Sequence, residues 1–333
     1  MENLKVSIIL PVFQVSAYIE RCVKSVMMQT YGNIECVIVD DFTPDDSILK
    51  CEKCIDDYQG NIQFVILHHE QNLGLSAARN TGMKAATGDY VFFLDSDDEL
   101  TAESIENLVR PVLNDPSIEM VLGNVKYCSD GVLLPKSLKR RKMRHEQYIT
   151  TRDAVRDLFF KKSDCFSEAW NRLIRRDFLE ENNIYFHEGL VLESSLWNFF
   201  LVKHLAHLFF IKEVTYIYYR RPFSISTGLC RNERVGMKEK IITILANNFT
   251  EGEKGREARF YLVKFCFCII QKPKSQAFTQ SARLFRKALA EDHFWVEELL
   301  LVFVMSLSKI TLGRTFYSFV MKVLRPMHRC VGR

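Results

Sequence analysis

The first part of the chain alternates short apolar runs with amphipathic segments. A continuous apolar run predicts a strand buried on both faces at residues 6–12, and further mainly apolar runs predict strands at 35–39, 62–67, 90–94 and 120–125. The segments between them have helical spacing, as in the apolar stripe of Ile19, Cys22, Val23, Val26 and Met27. Strands that alternate with single helices are typical of βαβ units. The pattern therefore predicts an α/β fold with a mostly parallel sheet.

The alternation ends near residue 127. Aromatic residues become denser over residues 159–200, residues 208–219 are strand-like, and the pattern is helical from residue 233 onward. We therefore predict three regions. They are a nucleotide-type α/β half at residues 1–127, a second half of the same domain at 128–232, and a helical region at 233–333.

Composition narrows the class of protein only modestly. A chain of 333 residues is longer than one compact core usually holds, and 47% hydrophobic with 26% charged residues is typical of globular proteins. A net charge of +4 is too small to indicate nucleic acid as a partner. Ten scattered cysteines, with no secretory signal before the first strand, favour a reducing, cytoplasmic setting.

The strand predicted at residues 90–94 runs directly into a cluster of acidic residues. These are Asp95, Asp97, Asp98 and Glu99. Carboxylates at the end of a buried strand repel one another and lose water, and a divalent cation offsets both costs. Magnesium and manganese prefer such hard oxygen ligands, and open α/β sheets bind ligands at the carboxyl ends of their strands. We therefore predict a magnesium or manganese site that also receives phosphate.

Two other strand ends and one helix carry further candidates. Pro11 lies at the end of the first predicted strand, and Asp40 and Asp41 end the second. One carboxylate can pair with a base or a ribose while another holds a cation that neutralises a diphosphate. Arg79 precedes the acidic strand and can face phosphate, although a surface ion pair is the alternative interpretation.

Together these segments resemble the amino-terminal domain of family 2 glycosyltransferases, which have the GT-A fold. The resemblance covers residues 4–125 and rests on VSIILPVFQ, IECVIVDD and NLGLSAARNTGMKAATGDYVFFLDSDD. It implies transfer of a sugar from a nucleotide diphosphate donor, with inversion at the anomeric carbon and with a divalent metal. The expected fold class is a GT-A type, mostly parallel sheet flanked by helices, with a helical C-terminal extension.

The resemblance also assigns roles to individual residues. Pro11 would line the nucleotide pocket through its backbone, Asp41 would contact the base, and Arg79 would approach the diphosphate. Asp95 and Asp97 match the family's Asp-Xaa-Asp motif. In that motif Asp97 would ligate the metal directly, and Asp95 would lie nearer the ribose or a metal-bound water.

The second half resembles the acceptor-binding segments of bacterial capsule and exopolysaccharide transferases, through EAWNRLIRRDFL, IYFHEGLVLESSLWNFFL and YYRRPFSIS. The family's usual Glu-Asp pair is Glu193-Ser194 here, so the usual base aspartate is absent. An inverting transfer needs a carboxylate that removes the acceptor proton, which serine cannot do at neutral pH. We therefore expect Glu193 to be the catalytic base; the alternative is a pairing or capping role at a helix start.

The last 25 residues, 309–333, are basic and contain no acidic residue. Their cations are Lys309, Arg314, Lys322, Arg325, Arg329 and Arg333. Aromatic and aliphatic residues lie between them, which is typical of an amphipathic helix at an anionic membrane surface. The alternative is a helix that packs on the protein with its cations in solvent.

These observations predict an inverting glycosyltransferase in cell-surface polysaccharide biosynthesis. Its donor would be a nucleotide sugar, UDP-linked on family grounds, and its acceptor a saccharide or lipid-linked saccharide. It would be cytoplasmic or peripheral at the inner face of the membrane. Because Ser194 replaces the usual aspartate, the alternative is a catalytically weak or inactive protein that binds sugar nucleotides.

Overall fold

The computed structural model describes residues 4–129, 145–161, 168–191, 193–221 and, further on, residues 236, 237, 240, 241 and 244. The chain divides into two compact units, residues 1–229 and 230–333. All the helices and strands given below belong to the first unit. The predicted helical region after residue 233 and the basic tail at 309–333 lie almost wholly outside the described residues.

One sheet organises the first unit. Its strands are β1 Val6–Val12, β2 Ile34–Asp40, β3 Gln63–His68, β4 Tyr90–Phe93, β5 Glu99–Leu100, β6 Met120–Ser129, β7 Gln147–Ile149, β8 Arg172–Arg175 and β9 Leu208–Arg220. The order is β3-β2-β1-β4-β8-β6-β9-β5, and β7 pairs with β9 beside this path. Strands β1, β2, β3, β4, β6 and β9 run in one direction, and β5, β7 and β8 run against them. The predicted mostly parallel sheet is confirmed.

Seven helices connect the described strands. They are α1 Ile19–Met27, α2 Ser47–Asp56, α3 Leu75–Ala85, α4 Ser104–Asn114, α5 Arg152–Lys161, α6 Arg176–Glu181 and α7 Glu193–His204. The stripe predicted for α1 is buried at Ile19, Cys22, Val23 and Val26, which pack against the strands. None of the helices in the described part of the chain combines the length and apolarity needed to cross a bilayer.

The predicted strands correspond to strands of the sheet. All seven residues of β1 are buried, because β1 lies between β2 and β4 and both of its faces are covered. Strand β3 alternates between exposed and partly buried residues, as expected at an edge of the sheet. The predicted strands at 35–39, 62–67, 90–94 and 120–125 are found as β2, β3, β4 and β6, with ends shifted or extended by up to four residues.

A buried acid holds the amino ends of β1, β2 and β4 together. Glu35 accepts hydrogen bonds from Ser7 Oγ at 2.5 Å and from Thr87 N and Oγ1 at 2.6 and 2.7 Å, and pairs with Lys5 Nζ at 2.7 Å. Gly88 fits this contact because an added Cβ would lie 2.7 Å from the Lys5 carbonyl oxygen. The opposite, carboxyl ends of the strands are left for the loops that carry the candidate site.

Candidate active site

The predicted site residues lie at neighbouring strand ends. Val12 of β1 pairs with Asp40 of β2, and Leu94 N, just after β4, donates to Ile9 O of β1 at 3.1 Å. The loops after β1, β2 and β4 therefore leave the sheet at the same edge. The structure thus brings the Pro11, Asp41 and Asp95–Asp97 regions to one edge, as the sequence predicted.

Asp41 organises the loop that leads into α3. Its Oδ1 accepts hydrogen bonds from His69 Nδ1 and Leu73 N, both at 2.8 Å, and its Oδ2 accepts one from Gly74 N at 2.8 Å. Gly74 has a φ of 88°, a conformation that glycine adopts without steric cost. Both carboxylate oxygens are engaged with the protein itself, so the base contact predicted for Asp41 stays a prediction.

Exposed apolar side chains lie around this loop; the sequence pointed to Phe13 and Phe42 at the strand ends but not to Leu73. Phe13, Phe42 and Leu73 are all exposed, and each lies in a loop at the same sheet edge. Phe42 has a φ of 57°, which is uncommon for a bulky residue. Asp41 N donates to Val12 O at 3.0 Å, which ties two of these loops together. The result is an apolar rim beside Pro11, which is itself buried.

Arg79 joins the acidic cluster to the second half of the sheet. Its Nη2 lies 2.7 Å from Asp95 Oδ1, and its Nη1 lies 2.7 Å from Glu193 Oε1 at the start of α7. The guanidinium carbon lies 5.2 Å from the centre of the Phe186 ring, and the side chain is only 2% exposed. Sequence reasoning named Arg79, Asp95 and Glu193 separately; the structure shows them as one ion-pair triad around a buried guanidinium.

The pKa values of Arg79 and Asp95 depend on the charged groups that lie next to them. Burial alone lowers the pKa of Arg79, but the charges of Asp95 and Glu193 outweigh it and raise that pKa. Burial raises the pKa of Asp95 to about 6; the nearby Arg79 opposes this rise, and the charge of Asp97 adds to it. Arg79 therefore favours the ionised form of Asp95, while burial and the charge of Asp97 oppose it.

Asp97 is paired with a second arginine. Its Oδ2 lies 2.6 Å from Nε of Arg221, directly after β9, and its backbone oxygen accepts from Arg21 Nη2 at 2.8 Å. Arg21 also pairs with Glu99 and lies 3.7 Å from the centre of the Tyr219 ring. The sequence showed the arginines in RRPFSIS but gave no reason to place one of them on Asp97.

Asp98 points into the protein and anchors β9. Its Oδ2 accepts a hydrogen bond from the Tyr216 hydroxyl and its Oδ1 accepts one from Tyr219 N, both at 2.8 Å. Burial, with the charges of Asp97 and Asp95, raises the pKa of Asp98 well above its ordinary value. The Tyr216 hydroxyl also lies 3.2 Å from Asp95 N. Asp98 therefore fixes the backbone of the acidic turn against β9.

The residues present fit a divalent cation of the predicted kind. The side chains of Asp95 and Asp97 are 26% and 20% exposed, and each uses one oxygen for an arginine. Within the described residues, Asp95 Oδ2 and Asp97 Oδ1 make no hydrogen bond, so two hard oxygen donors remain. No group of three or more His, Cys, Asp or Glu residues in the described part of the chain forms a metal cage. A magnesium or manganese ion would therefore complete its shell with water and phosphate oxygens.

The predicted base lies inside the protein. Glu193 is buried, and its Oε1 accepts from both Arg79 Nη1 and the Ser194 hydroxyl, the latter at 3.1 Å. Trp197, on the same helix, stacks on Phe186 with ring centres 4.7 Å apart and is a core residue. The geometry gives Glu193 the role of a counter-ion to Arg79; its assignment as the base stays a prediction.

Comparison with known proteins shows the family. Residues 7–182, just over half of the chain, match the family described as Glycosyl transferase family 2. The chain belongs to glycosyltransferase family 2. It is 30% identical over 224 residues to the uncharacterized glycosyltransferase EpsJ of Bacillus subtilis, covering 66% of this chain and 62% of EpsJ. It is 28% identical over 223 residues to the uncharacterized glycosyltransferase YibD of Escherichia coli, covering 67% and 63%. The chain thus spans less than two thirds of either relative.

Solved structures share the fold. The chain of S. aureus TarS 1-349 in complex with UDP-GlcNAc superposes with a TM-score of 0.62 at 19% identity, over 86% of this chain and 80% of that one. The mannosyltransferase PcManGT of Pyrobaculum calidifontis, in complex with GDP-Man and Mn2+, superposes with a TM-score of 0.58 at 15% identity, covering 97% and 86%. The predicted GT-A type sheet flanked by helices is confirmed.

Proposed function

We propose that this chain is an inverting glycosyltransferase that acts in cell-surface polysaccharide biosynthesis. It would move a sugar from a nucleotide diphosphate donor, UDP-linked, to a saccharide or lipid-linked acceptor. The observation that carries the proposal is the pair Asp95 and Asp97, partly exposed at the ligand-binding edge of the sheet, with a free oxygen on each among the described residues. Family membership and a structural neighbour complexed with UDP-GlcNAc support it.

Each part of the site has a task in this reaction. The apolar rim of Phe13, Phe42 and Leu73 would cover the flat faces of the nucleotide beside Pro11. Asp95 and Asp97 would hold a magnesium or manganese ion, which supplies positive charge to the leaving diphosphate. Asp41 would keep the loop before α3 in place for the nucleotide base, through its hydrogen bonds to Leu73 N and Gly74 N.

Thermal shift and donor hydrolysis test the binding half of the proposal. Each UDP- and GDP-sugar would be measured in the presence of manganese, of magnesium and of a chelator. We expect one donor to raise the melting temperature only when metal is present, and Asp97→Asn to abolish that shift. Asp89→Asn is the matched control, because Asp89 precedes β4 at the opposite end of the strand and accepts from Lys5 N. No response to any donor, with or without metal, would contradict the proposed function.

A second candidate function is supported by one observation. The usual base position holds Ser194, and Glu193 is buried in an ion pair with Arg79, so the chain would bind sugar nucleotides with little or no turnover. The two functions differ in the response to Glu193→Gln and Ser194→Asp. In the enzyme with Glu193 as base, Glu193→Gln abolishes transfer and keeps donor binding. In the weak or inactive protein, Ser194→Asp raises transfer by about 10²-fold or more.

We also propose that the basic tail, residues 309–333, binds an anionic membrane surface. Each Lys or Arg near an anionic surface contributes about 1 kcal/mol, so the six cations of residues 309–333 would hold the protein at such a membrane. A chain ending at residue 308 should lose binding to anionic vesicles and keep its melting temperature. Equal binding of both chains to these vesicles would exclude this role.

A further inference from the structure

A cationic side chain would bind the donor's diphosphate, but Arg79 is already paired with Asp95 and Glu193. Both terminal nitrogens of Arg79 bind carboxylates at 2.7 Å, and the side chain is 2% exposed. To face phosphate, its guanidinium would have to leave Asp95 and Glu193, two carboxylates that depend on it for compensation. Breaking a buried pair of this kind is costly, so another cation is better placed for the diphosphate.

Arg221 lies where a cation could bind the diphosphate, next to Asp97. It directly follows β9, and its Nε lies 2.6 Å from Asp97 Oδ2. The guanidinium carbon lies 4.9 Å from the centre of the Tyr18 ring, which holds the group over the acidic turn. Only Nε is used: within the described residues, Nη1 and Nη2 of Arg221 have no hydrogen-bonding partner. A guanidinium with two unused terminal nitrogens presents the fork that binds phosphate oxygens.

Arg21, the other arginine at the acidic turn, has a different task. Its Nη2 donates to the backbone oxygen of Asp97, its Nε pairs with Glu99, and its guanidinium stacks on Tyr219. These contacts hold the turn and β9 together. They do not involve the Asp97 carboxylate, which pairs with Arg221. Arg21 is therefore a positioning residue for the turn.

We propose that Arg221 binds the donor's diphosphate and that, in the ligand-free protein, it occupies the Asp97 carboxylate in place of a divalent ion. The inference rests on the proposed function and adds a diphosphate-binding residue to it. A divalent ion and a guanidinium compete for the same carboxylate, since both are attracted by its negative charge. When the ion takes Asp97, Arg221 is released beside the ion, where the diphosphate oxygens lie. Metal and nucleotide binding are then coupled through one side chain.

Two binding measurements test this coupling without any turnover. Manganese binding to the protein alone is measured by electron paramagnetic resonance, and UDP and GDP binding in saturating manganese by calorimetry. For Arg221→Gln we expect manganese to bind about three- to ten-fold more tightly, because its competitor is gone. We expect the nucleoside diphosphate to bind about ten-fold or more weakly, because a charge-assisted contact is lost. Uridine and guanosine, which lack phosphate, should bind Arg221→Gln as they bind the unmodified protein.

Matched variants make the result specific. Arg221→Lys should recover part of the nucleotide affinity, and Arg220→Gln, which changes the adjacent arginine of β9, should leave both affinities within about two-fold. Unchanged nucleoside diphosphate affinity in Arg221→Gln would overturn the proposal, as would unchanged manganese affinity. If the unmodified protein binds neither UDP nor GDP in manganese, the proposed function itself fails and the inference falls with it. The unmodified protein alone therefore distinguishes failure of the proposed function from failure of the role of Arg221.

Discussion

Arg79 is the residue on which the two halves of the candidate site depend. It compensates Asp95 after β4, 16 positions later in the chain, and Glu193 at the start of α7, 114 positions after Arg79. The sequence singled out each of these carboxylates for a different role, and only the fold brings them to one guanidinium. Sequence patterns identify residue types and local spacing, so they predicted the residues of the triad and could not predict that Arg79 joins them.

Replacing Arg79 should therefore destabilise the protein strongly. Arg79→Met leaves the buried Glu193 and the partly exposed Asp95 without their counter-ion, which costs about 3–5 kcal/mol in the free energy of unfolding. Urea denaturation at pH 7 measures this loss. The matched control is Arg110→Met: Arg110 also bridges two glutamates, Glu146 and Glu213, but is half exposed, so the loss should be within about 1 kcal/mol. Equal losses for the two variants would refute the argument from a buried guanidinium.

Replacing Glu193, a carboxylate partner of Arg79, tests the same charge compensation. In Arg79→Met/Glu193→Gln one of the two uncompensated charges is gone, so the double variant should be more stable than Arg79→Met alone by about 1–2 kcal/mol. The same urea titration provides the comparison. If the two losses simply add, Arg79 and Glu193 do not act as a pair in solution.

Among the elements, the amino ends of β1, β2 and β4 depend on Glu35. Burial by itself raises the pKa of Glu35, but the hydrogen bonds from Lys5, Ser7 and Thr87 outweigh it and lower that pKa to about 2. A carboxyl whose pKa falls on folding contributes stability above its ordinary pKa of 4.5, and this contribution is lost as the pH falls towards 2. The contact is therefore strongest at neutral pH.

This gives a stability difference that depends on pH. Glu35→Gln should cost about 2–3 kcal/mol at pH 7, and the cost should shrink by about 1 kcal/mol at pH 4. Chemical denaturation of both proteins at the two pH values measures it. Glu103→Gln, which changes an exposed glutamate before α4, should show no pH-dependent difference. A cost for Glu35→Gln that is the same at both pH values would show that its charge contributes nothing.

Element by element, the sequence predicted what local patterning encodes. Strands β1, β2 and β4 are mainly apolar runs, and α1 has a clear apolar stripe, so each was predictable. Strands β5, β7 and β8 are only two to four residues long. Unlike β4, they are not apolar runs and are too short to show a periodicity, so pairing with β4, β6 or β9 is what makes them strands. Their existence depends on contacts distant in sequence, which a single sequence does not show.

At the scale of the whole molecule, β9 completes the first unit. It pairs with β5, β6 and β7, and its Tyr216 hydroxyl contacts both Asp98 and the backbone of Asp95. The acidic cluster was predictable as a site because its residues are adjacent in sequence. Its support by β9, more than a hundred residues later, was not, since it arises from the sheet order.

The first unit should therefore fold by itself, but only with β9 present. Residues 1–229 contain every described strand, whereas residues 1–207 lack β9, which leaves β5 and β7 without their partner and β6 paired with β8 alone. We expect the chain of residues 1–229 to unfold cooperatively in urea and to keep metal-dependent nucleotide binding. The chain of residues 1–207 should give no cooperative transition and should bind no nucleotide, because Asp95 N and the Asp98 carboxylate have lost the Tyr216 hydroxyl. A cooperative transition for residues 1–207 would show that the acidic turn does not need β9. Failure of residues 1–229 to fold would show that the first unit depends on residues 230–333.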